Sequence, residues 1–252
     1  MVRRVLNGVA LALAILVNVL ASALPLNGQT TGQISDRFAV YFVPAGYVFS
    51  IWGLIYVGLI AFAVYQLLPS QRANPRLRGI DGLFVVSCIA NATWIFLWHF
   101  EIFAWTLVAM GTLLVSLIAI YIRLGIGLDR PSAAERWLVH VPFGIYLGWV
   151  TVATIANITS VLYWAGWGGW GIAAQAWAVV MLVVGTGVTV ALMLSRPSLP
   201  FALVIVWAYV GVAVRQSSIP VVAFSAIGLG ILVLVVSVGT YVHRTRQVAS
   251  AI

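Results

Sequence analysis

Charge is what this sequence has least of. Only 7% of its 252 residues are Asp, Glu, Lys or Arg, where a soluble domain carries about 25%. With 63% of the residues hydrophobic, there is too little polar surface to face water, so the solvent must be largely lipid. Lysine is absent, and all 13 basic residues are arginine. A single cysteine, Cys88, excludes a disulfide framework within the chain. The interiors of the apolar runs hold almost no ionisable group. Asp81, Glu101, Arg123 and Arg215 sit at run edges, and His99 and His140 lie close to a boundary. Intramembrane charges mark ion paths and proton relays, so their absence argues against a pump or a proton-coupled transporter. It also argues against paired-carboxylate or His-rich metal catalysis. No HExxH, phosphate loop or Ser-His-Asp grouping is present. No catalytic residue and no metal site are therefore expected. A lone His99 reads as a hydrogen-bonded anchor before it reads as a haem ligand. The net charge of +8 could suit nucleic acid. The arginines are scattered in short segments between apolar runs, with no basic face, so no nucleic-acid partner is expected.

A bilayer core about 30 Å thick takes roughly 20 apolar residues of helix, and a helix satisfies its own backbone where lipid cannot. Eight runs are candidates: 5–24, 44–68, 83–100, 102–123, 137–162, 172–194, 199–214 and 220–242. The seventh is short and begins at Pro200. The expected fold is all-α, a polytopic transmembrane bundle of about eight helices. If the N-terminus lies inside, Arg37 and Arg215 alone fall in outer segments and the other arginines fall in inner ones. That split is what the positive-inside rule expects, and it places both termini in the cytoplasm. The first run has a basic start and an Ala-Ser-Ala ending, which also describes a signal peptide. Its apolar length favours a retained helix. The longest loop is 25–43. The Trp-rich segment 163–170, "YWAGWGGW", reads as an interfacial aromatic belt, with a lid over a pocket as the sharper alternative.

Neutral polar and aromatic stripes remain. Ser87, Asn91, Trp94 and Trp98 share one helix face, as do Phe49, Trp52, Gly53 and Tyr56. Pro142, Tyr146, Trp149, Ala153, Ala156 and Asn157 form a third such face. An Asn amide facing lipid would lack partners at a cost of several kcal/mol, so Asn91 and Asn157 point into the bundle. Two readings stay open. One is interhelical glue, in which neutral polar groups bond across helices. The other is an aromatic-walled pocket with a few amides, suited to a flat apolar ligand. The topology gathers Pro44–Trp52, Trp98, Asn157, the loop 25–43 and the Trp-rich loop toward the outer side.

In order and spacing these stripes resemble the TspO/MBR family, the tryptophan-rich sensory proteins that include the mitochondrial translocator protein. The second helix of that family opens with a Pro-Pro-Gly-Trp-like turn, matched here by Pro44, Ala45, Gly46 and Tyr47, followed by Phe49, Trp52 and Tyr56. The third has Asn-x-x-Trp, here Asn91 and Trp94. The fifth has Pro, Tyr, Trp, Phe, Ala and Asn at set spacings, here Pro142, Tyr146, Trp149, Val152, Ala153 and Asn157. Ala45, Tyr47 and Val152 depart from the pattern, and the Phe49–Trp52 step is one residue short. The likeness covers about residues 1–163. It implies a five-helix transmembrane core over 1–163, three additional helices packed on it over 164–246 and a cytoplasmic tail over 247–252. It also implies that the first helix is retained.

What the resemblance implies about function is a membrane sensor or receptor for a flat hydrophobic molecule, such as a porphyrin, a haem-like tetrapyrrole or a sterol. No cofactor is required; porphyrin or haem would be a ligand. The implied ligand-binding residues are Pro44, Tyr47, Phe49, Trp52, Tyr56, Asn91, Trp94, Trp98, Tyr146, Trp149, Ala153 and Asn157. A small-molecule transporter and a membrane enzyme that degrades a tetrapyrrole are the alternatives. The expected partners are the lipid bilayer and the ligand. A homodimer is an option that the added helices could obstruct. An Arg-only chain without an organelle signal points to the cell membrane of a prokaryote.

Overall fold

The computed structural model describes residues 2–24 and 26–249, with side chains through Arg244. These residues form nine helices and no strand: α1 Val2–Ala23, α2 Thr31–Asp36, α3 Gly46–Leu67, α4 Pro75–His99, α5 Phe103–Arg123, α6 Ala133–Trp164, α7 Ala174–Ser195, α8 Leu199–Arg215 and α9 Pro220–Ala249. Seven of them are long and apolar enough to cross a membrane. The short loop helix α2 is not among these, and α8 is a shorter apolar helix of 17 residues. At 1.5 Å per residue α8 measures about 26 Å, a little under the thickness of a hydrocarbon core. Every expected span is matched by a helix. Residues 247–249 continue α9, and 250–252 lie outside the described residues.

Local chemistry sets the ends. Pro75 starts α4 at its first position, and the Asn74 side chain accepts from the Arg76 N–H at 3.1 Å. The helix therefore begins well before residue 83, where the apolar run starts, and Asp81 lies inside it. In α6 the Ser132 hydroxyl accepts from the Glu135 N–H, and a wider turn follows over Arg136–His140. That turn accommodates Pro142, whose ring clashes with the carbonyl four residues back in a regular helix. Thr30 and Gln33 make a reciprocal capping box for α2.

α6 is the central strut. α3, α5 and α8 all pack against it. Gly144 and Gly148, one turn apart, admit α8: a Cβ on Gly148 would stand 2.8 Å from the Phe201 carbonyl oxygen. Small residues at this spacing let helix backbones meet closely in a membrane. Gly211 of α8 receives Pro44 and Val48, and the Ala45 N–H donates to the Gly211 carbonyl at 3.0 Å. The turn that opens α3 is thus seated on α8.

The two ends of the bundle differ. At the arginine end, the buried Arg4 guanidinium donates to the carbonyls of Gln66 in the last turn of α3 and of Gln71 and Arg72 just past it. Beside it the Asn7 amide donates to Gln66 Oε1 at 2.9 Å and to Asp81 Oδ1 at 2.8 Å. Asp81 is only 4% exposed. The sequence places it at a span edge, but the earlier start of α4 carries it into the bundle, where Asn7 supplies a partner. At the aromatic end, loop 25–43 is fastened from several sides. Asp36 pairs with Arg215 at 2.7 Å, Arg37 with Glu101 at 2.9 Å, and Gln216 donates to the Tyr41 carbonyl at 3.2 Å.

Candidate functional site

The expected site residues separate into three groups. The first is an aromatic box between α3 and α6. Trp52 stacks on Tyr56 at 5.4 Å and meets Tyr146 at 6.0 Å and Trp149 at 6.2 Å. Phe49 stands edge-on to Trp149 at 5.6 Å. Ala153 lies one turn beyond Trp149 and is half-buried. Helical spacing puts Phe49, Trp52 and Tyr56 on one face of α3 and Tyr146, Trp149 and Ala153 on one face of α6, and the packing of the two helices brings these faces together. Two polar atoms in the box, Tyr56 OH and Trp149 Nε1, are buried with no hydrogen-bond partner among the described residues. Buried polar groups are otherwise paired in more than nine cases of ten, roughly. The two lie on the facing helices of one aromatic cluster.

The second group is a pair of amide relays. Asn91 accepts from the Asn18 amide at 2.7 Å and donates to Tyr146 OH at 3.1 Å, joining α1, α4 and α6. Asn157 accepts from Trp94 Nε1 at 2.6 Å and donates to Thr106 Oγ1 at 2.9 Å, joining α4, α5 and α6. The glue reading describes these two amides: both are buried, and each donates and accepts across helices. Asn18 and Thr106 are hydrogen-bond partners of the two amides that sequence reasoning missed. The signal for Asn18 was present, since an Asn within an apolar run needs a partner inside the bundle. Thr106 carried no such signal, because a threonine can bond back to its own helix.

The third group sits under the long loop. Trp98 stacks on Trp94 at 5.3 Å and packs with Phe38 and Phe103, while its N–H donates to the Thr31 carbonyl at 3.2 Å. The loop thereby covers the end of α4. His99 is held as well, with Nδ1 at 2.8 Å from the Ile95 carbonyl and Nε2 at 3.5 Å from Thr31 Oγ1. That is the anchoring role. Among the described residues no group of His, Cys, Asp and Glu could hold a metal ion.

Two expected residues do not join the box. Tyr47 is 45% exposed and turns to Trp207 of α8, with ring centroids 5.3 Å apart. Pro44 is buried against Gly211. The Trp-rich loop forms its own knot of Trp167, Trp170 and Trp177, with centroid distances of 5.0–5.7 Å. Trp170 is 80% exposed there, as a ring at a membrane interface would be. Two cavities, one at each flank of the arginine end, have no lining residue in common with the twelve expected positions. The box is filled by its own rings.

Helices of membrane-spanning length, an aromatic box between α3 and α6 and amide relays around it define a polytopic α-helical membrane protein with a tryptophan-rich core. The family of TSPO-like proteins matches residues 4–239, and the chain belongs to that family. The match runs through α6 and on into α9, beyond the 1–163 segment that carries the motifs. Comparison with curated proteins and with solved structures found no match.

Proposed function

We propose that the protein is a membrane sensor or receptor that binds a flat hydrophobic molecule, a porphyrin or related tetrapyrrole by preference, in the aromatic box. The observation that supports this most is the unpaired Trp149 N–H beside the unpaired Tyr56 hydroxyl, both buried among Phe49, Trp52 and Tyr146. An aromatic ligand inserted there stacks on indole and phenol faces, and an acceptor at its rim takes the Trp149 N–H. A site that leaves its polar groups unpaired without ligand gains the most from the molecule that pairs them. Entry requires Trp52 to part from Tyr146 and Trp149. The arginine distribution supports an arrangement with the aromatic end outside and both termini inside a prokaryotic cell membrane.

The test is titration of the purified protein with protoporphyrin, followed by tryptophan fluorescence. Saturable quenching is expected, and it weakens in Trp149→Phe and in Tyr56→Phe while the helical signal is kept. Unchanged quenching in both variants rejects the box as the site. Flux of the porphyrin into liposomes favours the transporter instead, and light-driven porphyrin loss that depends on one tryptophan favours the enzyme.

A further inference from the structure

A second opening lies away from the aromatic box. Between α3, α6, α8 and the end of α9 runs a crevice of about 800 Å³, within the roughly 300–1,000 Å³ usual for ligand sites. Its mouth is at the arginine end, where Arg130, Arg136 and Arg244 line it. None of the three makes an ion pair among the described residues, and the carboxylate at the mouth, Asp129, is held by Arg76 at 3.1 Å. From the mouth the crevice follows α6 from Arg136 to Ile145 and α8 from Leu199 to Trp207. At 1.5 Å per residue these stretches run about 12–14 Å, close to one leaflet of a hydrocarbon core about 30 Å thick. The walls along this length are apolar: Leu54, Ile145, Leu203, Val204 and Trp207. Trp207 ends the crevice, held by its N–H to the Val48 carbonyl at 3.3 Å and by the Tyr47 ring. His140 also lines the crevice; it is 7% exposed, and its Nε2 has no hydrogen-bond partner among the described residues. The Pro197–Pro200 segment sets the start of α8 and forms one side of the mouth.

We propose that this crevice binds an anionic phospholipid of the leaflet at the arginine end. Arg130, Arg136 and Arg244 hold the phosphate, and one acyl chain lies along α6 and α8. The charge and the shape each select this occupant. Guanidinium groups match phosphate oxygens in geometry and charge, and basic pockets between spanning helices take anionic headgroups. A zwitterionic lipid would bring its ammonium among the arginines, and free phosphate would leave the apolar walls untouched. The one-leaflet length fits a chain that enters from one side and stops near the midplane.

The test uses the full-length protein, delipidated in neutral detergent, with phosphatidylglycerol, phosphatidylcholine and inorganic phosphate as separate arms. Native mass spectrometry counts retained lipid, and thermal unfolding reports stabilisation. One phosphatidylglycerol retained per chain is expected, with a raised midpoint, weaker retention of phosphatidylcholine and no shift with phosphate. Arg136→Gln with Arg244→Gln should weaken phosphatidylglycerol binding roughly 30-fold. Leu203→Trp, at a half-exposed position, should block retention with every arginine in place. Equal retention of the two lipids, phosphatidylglycerol binding indifferent to both variants, or a phosphate shift equal to the lipid shift would each overturn the proposal. Protoporphyrin quenching should persist in the double arginine variant, which shows that the variant is folded and separates the fate of this site from that of the aromatic box.

Discussion

The relays around Asn91 and Asn157 and the box around Trp149 share helix α6, and Tyr146 belongs to both, yet the polar atoms of Tyr56 and Trp149 stand in the opposite state to the relay amides. Each relay amide donates to one helix and accepts from another. In the box, a hydroxyl and an indole N–H are enclosed without a hydrogen-bond partner among the described residues. A satisfied polar network rigidifies and fixes register, whereas an unsatisfied buried group carries a desolvation cost until something pairs it. The contrast separates paired residues that join the helices from residues whose polar atoms are unpaired among the described residues, although both types fall on the same sequence stripes.

That contrast can be broken by substitution. The largest effect is expected from Asn157→Ala, which strands the Trp94 N–H and empties space between α4, α5 and α6. It should cost about 2 kcal/mol, read as a lower unfolding midpoint in detergent. A matched pair sharpens the point. Tyr146→Phe removes the acceptor of Asn91 and should cost about 1 kcal/mol. Tyr56→Phe removes only an unpaired hydroxyl and should leave the midpoint unchanged or raise it by about 1 kcal/mol, while weakening porphyrin quenching. If the two variants shift the midpoint alike, the distinction between relay and box fails. The smallest effect is expected from Tyr47→Ala: about 0.5 kcal/mol from the lost ring contact with Trp207, and no change in quenching.

The spans were legible because hydropathy reports directly on a lipid solvent. Their starts were less so. The sequence of α4 before residue 83 carries Arg76, Arg78 and Asp81, which look like a loop, while Asn74 and Pro75 announce a helix start that the apolar run conceals. The stripes on α3, α4 and α6 gave the members of the box and the relays, since shared helix faces follow from spacing. Periodicity does not say which face meets which partner. Tyr47 therefore reads as a site residue from sequence and lies on α8 in the fold. Asn18 signalled the need for a partner but not which one, since Asn91 lies 73 residues along the chain, and Thr106 gave no signal of its own. The Arg4, Asn7, Gln66 and Asp81 cluster was hidden as well: it is assembled from three helices.

The backbone bond from Ala45 to Gly211 bears on how the molecule is made. During synthesis, residues 42–56 enter the membrane long before α8 exists. The segment that carries Phe49 and Trp52 therefore waits with its opening turn unseated until residue 211 has been inserted. A chain released before that point has its motifs but not the bearing surface that sets them. The α3 wall of the aromatic box is seated last, although its residues are among the first to be translated.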